Sequence, residues 1–171
     1  WLPQISTDYG GIGLSLQEHG EISEILGGSP YGFYVFNCQA PDAGNMEILI
    51  EVGTAQQKKD YLTPLLEGKT RSCFAMTEPG YAGSNPTRMG TIAKKENGNY
   101  IINGHKWFTS SFDGADFAIV MVVTDPDEAN PYKRASQIIV PTKTKGVEFV
   151  RNVSIMGHPG GGWESHAEIK F

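Results

Sequence analysis

The hydrophobic period of this chain changes near residue 70, and that change restricts the fold more than any other property. Upstream, apolar residues recur at helical spacing. Ser15-Leu16-Gln17-Glu18 has the spacing of a capping box, Ile22, Ile25 and Leu26 follow at helical intervals, and Gly27-Gly28 supplies a stop. Gly20 sits inside that helix and weakens it slightly. A second helix is expected from Asp42, carrying Met46, Leu49, Ile50 and Val52 to Gly53. Thr54-Ala55-Gln56-Gln57 is another capping box, opening a helix with Tyr61, Leu62, Leu65 and Leu66 on its apolar side and Gly68 at its end. Pro64, late in that helix, should kink or tighten it.

Downstream, the signals are for short strands. Arg71 to Met76, Thr91 to Lys95, Tyr100 to Asn103 and His105 to Ser110 read as strands, as do Gln137 to Pro141, Val147 to Val150 and Ala167 to Phe171. Asn97-Gly98 is a strong hairpin signal, and Asn103-Gly104 reads as a second tight turn. Phe117 to Thr124 is almost continuously apolar, as in a strand covered on both faces. Many short strands at close spacing suggest a barrel or sandwich. Helices first and strands afterwards argue against a doubly wound sheet, which would alternate them. The expectation is an α+β chain, helical over residues 1–70 and antiparallel β over residues 71–171.

Composition narrows the function classes. With 39% hydrophobic and 19% charged residues, the chain resembles an ordinary globular protein, and it has no apolar run of about 18 residues such as a spanning helix needs. A formal charge of −5 argues against a general nucleic-acid binder, and Lys58-Lys59 and Lys94-Lys95 read as solvated faces. Two cysteines, Cys38 and Cys73, are too few for a disulfide framework and read as reduced, buried thiols. Trp1 stands where an initiator Met would, so the natural N-terminus and any targeting segment are expected to lie outside this sequence.

Several motifs fail on inspection. Gly10-Gly11-Ile12-Gly13 lacks a preceding strand and a third glycine at dinucleotide-loop spacing, so it reads as a loop with a close backbone approach. Gly160-Gly161-Gly162 has no Lys-Ser/Thr pair or helix after it, His158 and His166 have no suitably spaced metal-ligating partner, and no G-x-S-x-G elbow exists. No metal ligands are assigned. Two segments carry more chemistry. In Phe74-Ala75-Met76-Thr77-Glu78-Pro79-Gly80-Tyr81-Ala82-Gly83-Ser84-Asn85 a strand breaks at Glu-Pro into a loop of small and hydroxyl residues. Trp107-Phe108-Thr109-Ser110 sets aromatics beside a hydroxyl on a later strand. Hydroxyls of Thr77, Ser84 and Thr109 and free loop N–H groups could serve a flavin, whose reduction builds negative charge along N1–C2=O, and Trp107 could lie against its ring. Spacing alone also allows Trp107 and Phe108 to be core aromatics and Thr77 a strand residue.

These two segments resemble the flavin-binding signature of the acyl-CoA dehydrogenase family, an aromatic-x-x-Thr-Glu-Pro stretch with a Gly-Ser loop and, later, Trp-x-Thr after an Asn-Gly. Gly10 to Ser15 and Gly53 to Gly68 resemble the same family, so the likeness spans the whole chain. Phe36 to Glu47, with Met156-Gly157-His158 and Trp163 to Glu168, resembles the branch of family members ten and eleven, associated with long or unusual acyl chains. The resemblance implies a partial N-terminal helical domain, a middle β-barrel domain, and a C-terminal helical domain lying outside residues 1–171. It implies FAD as cofactor, contacted by Phe74, Met76, Thr77, Gly83, Ser84, Trp107, Phe108 and Thr109, with Ser84 also touching the acyl-CoA. It implies α,β-dehydrogenation of an acyl-CoA thioester, electron-transfer flavoprotein as acceptor, and a homodimer or homotetramer. The compartment would be the cytoplasm of a bacterium, or the mitochondrial or peroxisomal matrix. The family's base is a Glu of the absent region, so no catalytic residue is assigned here, and residues 1–171 alone are expected to be inactive. An acyl-CoA oxidase, another flavoenzyme of the superfamily, and a non-enzymatic scaffold remain as alternatives. Two departures stand out: the Pro79-to-Ser84 loop is one residue longer than the common form, and Asn85 replaces the usual Asp.

Overall fold

A computed structural model describes residues 1–171, which divide into two units, Trp1–Arg71 and Ser72–Phe171. The first unit is helical. Helix α1 (Leu16–Leu26) opens with the expected box: Ser15 N–H donates to Glu18 at 2.8 Å, and Glu18 N–H donates to the Ser15 hydroxyl at 3.3 Å. Its apolar residues are only partly covered: Ile22 and Leu26 are half-buried, while Leu16 and Ile25 are exposed. A short α2 (Gly32–Val35), which the sequence did not announce, precedes α3 (Asp42–Val52). Met46 and Leu49 on α3 are buried with Leu2, Ile5, Cys38, Leu62 and Leu65. The Arg71 guanidinium donates to Asn37 at 2.7 Å and to Asp42 at 3.2 Å and lies over the Tyr34 ring, while Asn37 donates to the Leu65 carbonyl at 2.9 Å. Gly11 lies so close to the Ile5 carbonyl that no Cβ would fit, the close approach expected of that loop.

The third predicted helix is interrupted, but not as a kink or a tightening. Helix α4 (Ala55–Gln57) widens into a π turn (Lys58–Leu62) before α5 (Thr63–Leu66). Pro64 brings no N–H and crowds the carbonyl four residues back, so the preceding turn opens and Thr63 N–H bonds the Lys58 carbonyl instead.

The second unit contains eight strands: β1 (Ser72–Ala75), β2 (Ile92–Glu96), β3 (Asn99–Asn103), β4 (His105–Ser110), β5 (Phe117–Val123), β6 (Ala135–Pro141), β7 (Glu148–Asn152) and β8 (His166–Lys170). The antiparallel barrel does not form. One sheet has five strands, with β5 flanked by β6 and by β1 and β2, and β2 pairing on to β3; a separate sheet has the order β4-β8-β7. Both β1 and β2 run parallel to β5, so the first sheet is mixed, and β3 has no partner on its outer side, so the sheet stays open. Sequence spacing shows the strands but not their directions, which here depend on a long excursion of the chain between β1 and β5. The core lies between the sheets, where Cys73, Ala75, Ala93, Ala118, Val120, Val122 and Val140 meet Ala167 and Ile169. Phe117, Ala118, Ile119 and Val120 are all buried, so β5 is covered on both faces.

Asn97 and Gly98 both have positive φ, as the β2–β3 hairpin turn requires. Asn103-Gly104 is not a hairpin turn. At Gly104 the chain leaves one sheet and enters the other, and Gly104 exchanges backbone hydrogen bonds with Phe171 at 3.3 and 3.0 Å. A side chain at residue 104 would fall inside that of Thr91, which is why glycine makes this passage.

Candidate functional site

The long loop after β1 is fixed at its base by one buried ion pair. Lys106 on β4 points inward, fully buried, and its ammonium donates to Glu78 Oε1 at 2.8 Å and to the Met76 carbonyl at 2.8 Å. Glu78 in turn accepts from Gly90 N–H at 2.6 Å and Thr91 N–H at 2.9 Å, so both ends of the loop are held by a single carboxylate. Burial alone would raise the Glu78 pKa, but the bonds from Lys106, Thr91 and Gly90 outweigh it and hold the carboxyl below its ordinary range. Burial pushes Lys106 down, while Glu78 pulls it back up. At neutral pH the geometry is that of a charged pair with its lone pairs and protons satisfied, the condition under which a buried pair is tolerated.

Next to this anchor, Trp107 N–H donates to the Thr77 carbonyl at 2.9 Å, joining β4 to the segment that follows β1. Strand β4 carries a bulge at this point. Lys106 faces Ile169 and Thr109 faces Ala167, so three steps on β4 match two on β8, and Phe108 takes a left-handed φ of 49°. The extra residue lets Lys106 and Thr109 both point inward, although they are three apart. Trp107 stays half-buried and Phe108 is 40% exposed, with their rings 4.8 Å apart. A non-glycine residue in this conformation costs energy and is found where the surroundings demand it.

The predicted site residues fall into three groups. Phe74, the one residue of β1 that is not fully buried, Met76 and Thr77 are partly accessible and stand with Trp107 and Phe108 at the β1–β4 junction. Gly83 and Ser84 are exposed on the loop, joined to the junction through the Glu78 anchor. In the same loop Asn85 accepts from the Thr87 N–H and hydroxyl at 3.0 and 2.8 Å, a local turn that an uncharged side chain completes. Thr109 is 1% exposed, and its hydroxyl lies in the interior without a partner, as does the Trp107 indole N–H. Ser110, its half-buried neighbour, shares a 2.8 Å hydrogen bond with His166 Nδ1. The sequence reading passed over Lys106. No spacing signal marks it: simple alternation would put Lys106 on the same face as the exposed Phe108, and the bulge alone turns both Lys106 and Thr109 inward. The junction as a whole sets the aromatic and thioether side chains of Phe74, Met76, Trp107 and Phe108 beside the hydroxyl-bearing Thr77.

Residues 1–69 match the family profile described as acyl-CoA dehydrogenase, N-terminal domain, and residues 73–170 that described as acyl-CoA dehydrogenase, middle domain. The chain belongs to the acyl-CoA dehydrogenase family. Among its relatives, acyl-CoA dehydrogenase family member 10 of Mus musculus is 43% identical over 94% of this chain, and family member 11 of Gallus gallus is 43% identical over all of it. The acyl-CoA dehydrogenase homology spans only 15% and 22% of those two proteins' lengths. A solved acyl-CoA dehydrogenase homologue from Mycobacterium abscessus superposes with a TM-score of 0.94 at 37% identity, covering 100% of this chain and 42% of that one. A structure described as the FAD complex of PigA superposes with a TM-score of 0.81 at 27% identity, covering 99% of this chain and 43% of that one.

Proposed function

We propose that the β1–β4 junction and the Glu78-anchored loop form the middle-domain part of an FAD site in an acyl-CoA dehydrogenase, and that the whole protein oxidises an acyl-CoA thioester between its α and β carbons. The observation that carries this reading is the bulge at Phe108, which sets two adjacent aromatic side chains beside the half-buried Thr77, whose carbonyl accepts from the Trp107 backbone N–H. Family membership and the likeness to an FAD complex support the same choice of ring. Phe74, Met76, Trp107 and Phe108 would hold the flat ring by apolar contact and exclude water from one side of it. Thr77 would donate to the ring's polar edge, and Gly83 and Ser84 would offer N–H and hydroxyl groups to the pyrophosphate or the thioester. Thr109 could take part only by turning its hydroxyl outward from its buried position. Bound FAD supplies the hydride acceptor for the β-hydrogen.

None of these residues removes the α-proton. Glu78 is committed to Lys106, Gly90 and Thr91 and is 4% exposed, so its carboxylate is not available as a base. The base is therefore assigned to a carboxylate outside residues 1–171, as are the electron-transfer flavoprotein contact and the homo-oligomer interface. The chain of 171 residues should bind FAD weakly and lack dehydrogenase activity. Titration of FAD against it, followed by flavin fluorescence, tests the site. Phe108→Ala and Thr77→Ala should each weaken binding by about ten-fold, the value of one lost stacking or charge-assisted contact. Unchanged affinity in both variants would place the flavin elsewhere.

A further inference from the structure

Strand β1 pairs with β5 only as far as Ala75, and the backbone of the next two residues is held by β4. The Lys106 ammonium donates to the Met76 carbonyl at 2.8 Å, and Trp107 N–H donates to the Thr77 carbonyl at 2.9 Å. A trans peptide unit is planar, with its N–H pointing opposite to its C=O. The Met76 carbonyl faces a fully buried ammonium, so Thr77 N–H is directed away from it. Thr77 thus lies between two pinned peptide planes, which fixes its φ and ψ and with them the direction of its side chain. Stability alone does not call for a lysine at residue 106. Glu78 already holds the far end of the loop through Gly90 and Thr91 N–H, and a buried ion pair is often no more stable than apolar side chains of similar volume. What Lys106 adds, and an apolar side chain could not, is a donor for the Met76 carbonyl. Its other neighbour, Met89 Sδ at 3.9 Å, is only a weak acceptor.

Resting on the flavin reading of this junction, we propose that Lys106 is a positioning residue: by holding the Met76 carbonyl inward, it sets Thr77 in the one orientation in which that residue can serve the polar edge of a flavin. Lys106 is 0% exposed and touches no ligand itself; it acts through the peptide between Met76 and Thr77. The bulge at Phe108 serves both parts of this arrangement, because it turns Lys106 inward while Phe108 stays exposed beside Trp107. A role limited to neutralising Glu78 makes a different prediction. If that were all Lys106 did, removing both charges together would restore stability and flavin binding alike. A residue that orients Thr77 cannot be dispensed with in that way: stability returns, and flavin binding does not.

The test compares Glu78→Gln with the double variant Glu78→Gln/Lys106→Met in the full chain, two proteins that differ only at residue 106. In Glu78→Gln the lysine nitrogen can still donate to the Met76 carbonyl; the thioether of the double variant cannot. The double variant should be at least as stable in urea, since no buried cation is left without a counter-charge. It should nevertheless bind FAD about ten-fold more weakly by flavin fluorescence, the value of one lost hydrogen bond at a binding site. The Thr77 amide NMR signal should move on FAD addition in Glu78→Gln and move less in the double variant. Equal FAD affinity and equal Thr77 shifts in the two would overturn the proposal, as would an affinity that simply follows the urea midpoint. Lys106→Leu in the same background gives the same comparison if the first double variant does not refold. Phe108→Ala and Thr77→Ala keep the two ideas apart. If they weaken FAD binding and residue 106 has no effect, the positioning role alone fails; if they leave binding unchanged, the flavin reading fails and takes the positioning role with it.

Discussion

Lys106 shows how much one residue can fix. Its ammonium meets a carboxylate and a carbonyl in a place with no solvent, and the carboxylate closes the loop from the other end. Lys106→Met would leave Glu78 buried and unpaired, and should lower stability by about 3–5 kcal/mol in urea denaturation. Adding Glu78→Gln should recover part of that loss, because the amide can still accept from Gly90 or Thr91 without carrying a charge; no recovery would mean the pair's charge is not what the single variant exposes. Phe108 makes the opposite case. Phe108→Gly should relieve the left-handed backbone and raise stability by about 1 kcal/mol, while weakening FAD binding. A variant that loses both stability and flavin would show that the ring is mainly a packing element.

At the level of elements, Gly104 is the point most sensitive to change, because two sheets share it. Gly104→Ala should cost about 1–3 kcal/mol through overpacking against Thr91, measured by thermal melting, and Thr91→Ala should restore only part of it, because the Cβ it keeps would stand 2.5 Å from the new one. Elements of this kind mark the limit of what was legible. The capping boxes at Ser15 and Thr54, the Asn97-Gly98 turn and the apolar run of β5 are local signals, and each produced its element. Gly104 carries a local turn signal too, but its meaning depends on Thr91 and Phe171, which are distant in sequence. The parallel pairing of β1 and β2 with β5 and the bulge at Phe108 are likewise settled by partners, so no window of sequence contains them. In the site, the Thr-Glu-Pro loop and the aromatic strand were readable as motifs. That Thr109 points inward, and that Lys106 holds the loop, follows from the bulge and could not be read from spacing.

Across the molecule, buried titratable groups set the response to acid. Burial, and the neighbouring charge of His158, hold His166 below its ordinary pKa of 6.5, so the native chain refuses a proton that the unfolded chain accepts. Stability is therefore fullest above about pH 6.5 and should fall as the pH drops through the native His166 value. Glu78, also depressed, adds a second loss below its ordinary 4.5. Urea midpoints between about pH 7.5 and about pH 5 should show the first decline, and His166→Gln should flatten it; an equal slope in the variant would assign the decline to other groups.

The Glu78 anchor has a consequence for limited proteolysis. Arg88 is exposed on the loop and invites trypsin, yet the two chain ends left by a cut there are not released. Residues before the cut remain paired through β1 and β5 and through Glu78, which grips Lys106, Gly90 and Thr91 on the far side. A nicked molecule would migrate as two pieces in detergent and as one in a native column, its severed loop free to rearrange while the β1–β4 junction keeps its shape.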